Sequence, residues 1–133
     1  MYGNCVVKGS LTLEAAYMVP FCILIIGIIC YLGIFEYNRA VLKLTGYECI
    51  LRTMEERTES DMIFWENLLK RADQEAALRT LGISDLDVEA KITASQIVLR
   101  FHGVQTFFRT PIQVSVSYER IYPEFMLRIM TER

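Results

Sequence analysis

From Ala15 to Phe35 the chain carries no charged residue. Wound as a helix, those 21 residues would be about 31 Å long, the thickness of a bilayer's hydrocarbon core. A cleaved secretory signal has a shorter apolar core and ends at a small-x-small site. Here Glu36-Tyr37-Asn38-Arg39 follows and offers no such site. The block therefore reads as a retained membrane span, 15–35. Tyr31 and Tyr37 flank it closely enough to sit at the headgroup level. Lys8 precedes it and Arg39 and Lys43 follow it, so the count of positive charges does not set its orientation.

Hydrophobic residues make up 53% of the 133-residue chain, but much of that share is concentrated in this block. The remainder has the composition of an ordinary charged, water-soluble chain, long enough for one modest core. The net charge is −2 and no Lys/Arg cluster stands out, which argues against a nucleic-acid partner. Cys5, Cys22, Cys30 and Cys49 form no CxxC or Cys/His metal spacing and no disulfide framework. They read as small apolar residues, and no cofactor or metal is expected.

Residues 1–9 read as a short leader, 10–57 as a long helix containing the span, and 58–133 as a small head. Ser10 or Thr12 can cap the helix start, and the Glu14 carboxylate suits its positive end. Pro20 should kink it one turn into the apolar block. Beyond Phe35 the apolar residues Tyr37, Val41, Leu44, Tyr47, Leu51 and Met54 recur at helical spacing. Gly46 is the weak point of that stretch. After the capping run Thr58-Glu59-Ser60-Asp61 a second helix is predicted, with Met62, Trp65, Leu69, Ala72 and Ala76 on one face and Gly82 placed to end it.

The period then changes to two. Leu86, Val88, Ala90 and Ile92 alternate with polar partners, as do Ile97, Leu99 and Phe101, and then Ile112, Val114, Val116 and Tyr118. Ala94-Ser95 and the Gly103 region are the expected turns, and Pro111 marks an edge or strand start. The fold class is α+β: a long N-terminal membrane-spanning helix continuing into a small head with a second helix and a three-stranded antiparallel sheet. Phe125, Met126, Ile129 and Met130 suit a short helix closing the sheet.

The chemistry of interest is ahead of the span. Lys8-Gly9-Ser10-Leu11-Thr12-Leu13-Glu14 places a basic residue, a small residue, a polar gap and a lone carboxylate at the mouth of the apolar block. A carboxylate drawn to the bilayer centre costs roughly 2.5–3.5 kcal/mol unless paired. Cleavage after Gly9 would free a positive amine at Ser10, able to neutralise Glu14 in its own chain or in a neighbour. Gly9 lets the backbone enter a protease in extended form. The plainer reading of the same residues is a helix-start carboxylate in the headgroup layer after a loop glycine.

Together with Ala15-Ala16 and Val19-Pro20, this order resembles the TadE-like minor pseudopilins of the tight-adherence (Tad/Flp) pilus system, within the type IV pilin class. The likeness covers about 30 residues, the leader and the span. It implies a pilin-like fold and cutting by a prepilin peptidase at Gly9–Ser10, with Glu14 as residue five of the mature chain serving assembly. It implies a single-pass cell-membrane protein with its N-terminus cytoplasmic and its head outside. Its partners would be the peptidase, other pilins or pseudopilins, the assembly platform and membrane lipid, with incorporation in a surface filament.

Two alternatives stay open: a pseudopilin of a DNA-uptake or type II-like secretion apparatus, and an uncut single-span protein whose head is a binding or regulatory module. An enzyme is not expected, because no nucleophile, base or metal set converges in the sequence. His102 reads as a surface histidine on a strand, and Trp65 and the Phe107-Phe108 pair read as core.

Overall fold

The computed structural model describes residues 3–55, 61–93 and 95–119. Its elements are α1 (Gly3–Glu55), α2 (Asp61–Arg79), β1 (Ile83–Ile92), β2 (Gln96–Gln105) and β3 (Thr110–Glu119). A long apolar helix, a second helix and a three-stranded antiparallel sheet are thus present in the predicted order. The segment after Pro123 lies outside the described residues.

Two compact units divide the chain, Met1–Glu36 and Tyr37–Arg133. The division falls inside α1, so the part of that helix beyond the apolar block belongs with the head. In the first unit the backbone is helical from Gly3, not from Ser10. Extending a formed helix adds one hydrogen bond per residue fixed, whereas nucleation is costly. No proline stands before Pro20 to stop the extension, and α1 passes through Pro20 without interruption.

In the second unit the sheet order is β1-β2-β3, both pairs antiparallel. The register places Val88, Ala90 and Ile92 opposite Phe101, Leu99 and Ile97. It places Val114 and Val116 opposite Phe101 and Leu99. One face of the sheet therefore carries the apolar residues of all three strands. Ile97, Leu99, Phe101, Ile112, Val114 and Val116 are buried there, each large side chain stabilising by about 1.5–3 kcal/mol. Pro111 sits near the start of edge strand β3, where a missing N–H is tolerated.

In α2 the predicted face is buried in part, at Ala72 and Ala76, whereas α1 meets this core with a face other than its predicted apolar stripe. In α2 the buried residues are Phe64, Leu68, Ala72 and Ala76, at strict i, i+4 spacing. Trp65 and Leu69 flank them half-buried, while Met62 is 80% exposed. In α1 the buried face is Asn38, Leu42, Thr45, Cys49, Ile50 and Thr53. At about 100° per residue that face lies opposite Tyr37, Ala40, Leu44, Tyr47 and Leu51, which are exposed.

The reason is Gly46. A Cβ there would stand 2.9 Å from Val116 Cγ2 and 3.1 Å from Phe101 Cε2. Only a helix face without a side chain at that point can approach the sheet so closely. The polar residues beside it find local partners. Asn38 Nδ2 donates to the Leu81 carbonyl at 2.8 Å, and the Leu81 amide donates back to Asn38 Oδ1 at 2.9 Å. Thr53 Oγ1 donates to the Cys49 carbonyl at 2.7 Å. Arg79 joins α2 to α1 through Glu48 at 2.6 Å and also holds Glu75 at 3.0 Å.

Gly103 does not make a turn. It lies inside β2 opposite Ile112, and a Cβ on it would come within 2.6 Å of Ile83 Cγ2. The turn between β2 and β3 is Thr106–Arg109 instead. Gly82 takes a φ of +64° three residues after α2 ends. Its carbonyl accepts the Thr106 amide and hydroxyl, both at 2.9 Å.

Two changes test this packing in the full chain held in detergent, read by thermal or denaturant unfolding. Gly46→Ala is expected to lose stability, because overpacking of about 1–3 kcal/mol exceeds the helix-propensity gain of about 1 kcal/mol. Asn38→Ala is expected to lose about 2–4 kcal/mol by orphaning both backbone groups of Leu81.

Candidate functional site

Gly9 and Ser10 lie in the helical backbone of α1. Glu14 follows Ser10 by four residues, so the peptide nitrogen of Ser10 stands one turn before the carboxylate on the same side of the helix. Glu14 is exposed, and Ala15 begins the charge-free block directly after it. Between Gly3 and Pro20, Gly9 is the interior position of weakest helix preference, about 1 kcal/mol below alanine.

None of the most apolar window of α1 is buried. Ala15–Cys30 are all exposed, and only Tyr31 and Phe35 are partly covered within 15–35. Those two rings contact each other one helical turn apart, with centroids 6.5 Å apart. The helix is long and apolar enough to cross a membrane. In water such a surface would be strongly unfavourable; lipid or other apolar helices remove that cost.

The second unit carries its own uncovered apolar stripe. Tyr37, Ala40, Leu44, Tyr47 and Leu51 follow one another at spacings of three and four, the seam pattern of a helix that packs against another helix. Tyr37, Leu44, Tyr47 and Leu51 belong to the stripe read in the sequence; Ala40 does not, and Val41 and Met54, which do, are half-buried. The pattern cannot say whether the sheet or an outside surface takes them.

Among the described residues no group of His, Cys, Asp and Glu could hold a metal ion. Cys22 and Cys30 are free and exposed, and Cys49 is free and buried. Burial pushes the Cys49 thiol up from its ordinary value, and Glu75 adds to this, while Arg79 and Arg52 oppose it. Cys49 is therefore a packed side chain and a poor nucleophile. His102 is half-buried on β2, opposite Asp87 and Gln113. An open groove runs between α2 and the edge strand β1, and its lining includes Trp65, Leu69, Val88, Glu89, Lys91 and Arg100.

Phe107 and Phe108 are not core. They are 85% and 62% exposed at the tip of the β2–β3 hairpin, in edge-to-face contact with centroids 5.5 Å apart. The next residue, Arg109, has a φ of +49°, a region where non-glycine residues are uncommon. Asn38 and Thr45 were also missed as core positions, since polar residues on a helix read as its wet face. Their helical spacing with Leu42 and Cys49 was the available signal.

No protein-family model matches the chain, and neither does any curated protein or solved structure.

The burial of Cys49 has a direct readout. In the full chain in detergent, a thiol reagent is expected to modify Cys49 only after unfolding, with little increase between pH 7 and 9, because the thiolate that reacts is suppressed there. Rapid labelling of Cys49 in the folded protein, followed by peptide mass mapping, would contradict this placement.

Proposed function

We propose that this chain is a membrane-anchored assembly subunit, a minor pseudopilin of the TadE-like kind, cut by a prepilin peptidase at Gly9–Ser10 and taking part in building a Tad/Flp-type pilus or related secretion filament. The observation that carries the reading is the position of Glu14. An exposed carboxylate sits at the mouth of a charge-free helix, one turn after a glycine-serine bond whose cleavage supplies an amine. That amine offsets the carboxylate's cost at the lipid boundary, in the same chain or in the next subunit.

The exposed stripe from Tyr37 to Leu51 supports the same reading. A subunit that packs helix against helix needs an apolar seam beyond the membrane, and α1 presents one on the side away from its own sheet. On this reading the N-terminus is cytoplasmic, the head lies outside, and the subunit transfers from membrane to filament by exchanging lipid contacts for helix contacts. The protein itself performs no covalent chemistry; the peptidase does.

One observation favours a second reading. The backbone is helical through Gly9–Ser10, whereas a peptidase substrate is extended at the scissile bond. A chain that keeps this helix intact would be an uncut single-span protein whose head binds or regulates.

The mass of the mature protein from cells that hold a prepilin peptidase separates the two. Loss of residues 1–9 is expected, and an intact Met1 would remove the pseudopilin reading. Gly9→Ala is expected to leave uncut precursor in the membrane, because alanine both stiffens the helix and adds a side chain at the bond. Glu14→Ala is expected to be cut but to assemble poorly; normal filaments from that variant would end the pairing role.

A further inference from the structure

The Phe107-Phe108 tip occupies a specific end of the second unit. The chain enters that unit at Tyr37, directly after the charge-free block ends at Phe35. Asn38, the next residue, is doubly hydrogen-bonded to Leu81. Gly82, beside Leu81, accepts two hydrogen bonds from Thr106. Thr106 is the first residue of the turn that carries Phe107, Phe108 and Arg109. A short chain of hydrogen bonds therefore ties the tip to the end of the head where the apolar helix arrives. The β1–β2 turn with Ser95 lies at the other end of the same strands.

From this we infer that the Phe107-Phe108 tip, with Arg109, is a second membrane contact that rests in the headgroup layer of the bilayer holding α1. The chemistry of the tip fits that layer. Two adjacent aromatic rings are held out of the core, 85% and 62% exposed, where water is a poor solvent for them. An arginine follows, always charged and shaped to take a lipid phosphate, and aromatic rings beside a cation are the usual make-up of an interfacial contact. The turn also keeps Arg109 at a φ of +49°, a conformation that glycine would hold with less strain.

The inference rests on the membrane-anchored part of the reading above and not on the filament. The full chain is reconstituted in bilayers containing lipids brominated on the acyl chain near the headgroup. Trp65→Phe removes the only tryptophan, and single tryptophans are then introduced as Phe107→Trp, Phe108→Trp, Phe21→Trp and Ser95→Trp, each variant first confirmed to unfold cooperatively. The Phe107→Trp and Phe108→Trp signals are expected to lose intensity to the brominated lipid and to be shielded from aqueous iodide. Ser95→Trp is expected to do the reverse. If Phe21→Trp is quenched by bromine while both tip variants are quenched only by iodide, the span stands and the tip contact is overturned. If Phe21→Trp is not quenched by bromine, the anchor fails and the tip contact fails with it. Tip signals shielded from both quenchers, and more so at high protein-to-lipid ratio, would show a second copy on the tip and would also overturn the inference.

Discussion

At Gly46 the helix α1 comes so near the sheet that one added methyl group would overlap Val116 and crowd Phe101. Most of the head follows from that approach. It selects the face of α1 that turns inward, and it brings Leu42, Cys49 and Ile50 onto the apolar strand residues. It also takes Asn38, Thr45 and Thr53 out of water along with them. Asn38 is reconciled by pairing with both backbone groups of Leu81, and Thr53 by bonding back to Cys49. Among the described residues, Thr45 Oγ1 and Gln105 Oε1 are buried without a hydrogen-bond partner.

The same contact leaves the larger apolar residues of α1 outside. Tyr37, Leu44, Tyr47 and Leu51 would give a wider, looser interface with the sheet than a glycine-centred face allows. Their exclusion gives the helix two faces with separate uses, one closing the head's core and one uncovered. The charge-free block before them is uncovered as well. The helix is long and apolar enough to cross a membrane, and Glu14 is the last charged residue before its charge-free block.

Loop chemistry completes the picture at the opposite extreme of scale. Gly82 bends the chain with a positive φ, and its carbonyl accepts the amide and hydroxyl of Thr106 in the turn. Two phenylalanines are thereby held beyond the last strand pair, Gln105 and Thr110. Both are largely exposed there, 85% and 62%.

By itself the sequence determined the elements and their order. The absence of charge from Ala15 to Phe35 requires a helix with an apolar surround, and the two-residue alternation around Val88, Leu99 and Val114 requires strands with one wet face. The spacing of Gly9, Ser10 and Glu14 is read directly from the sequence, because it is a distance along one helix. Tertiary structure alone decided which faces meet. Periodicity ranks faces by hydrophobicity, but the face that packs is the one that can come closest, and a single glycine outweighed four large apolar side chains. For the same reason Gly103 could not be told from a turn glycine, nor Phe107 and Phe108 from core residues. What separates them is the position of a neighbouring strand or the lack of one, and that is fixed only when the chain has folded.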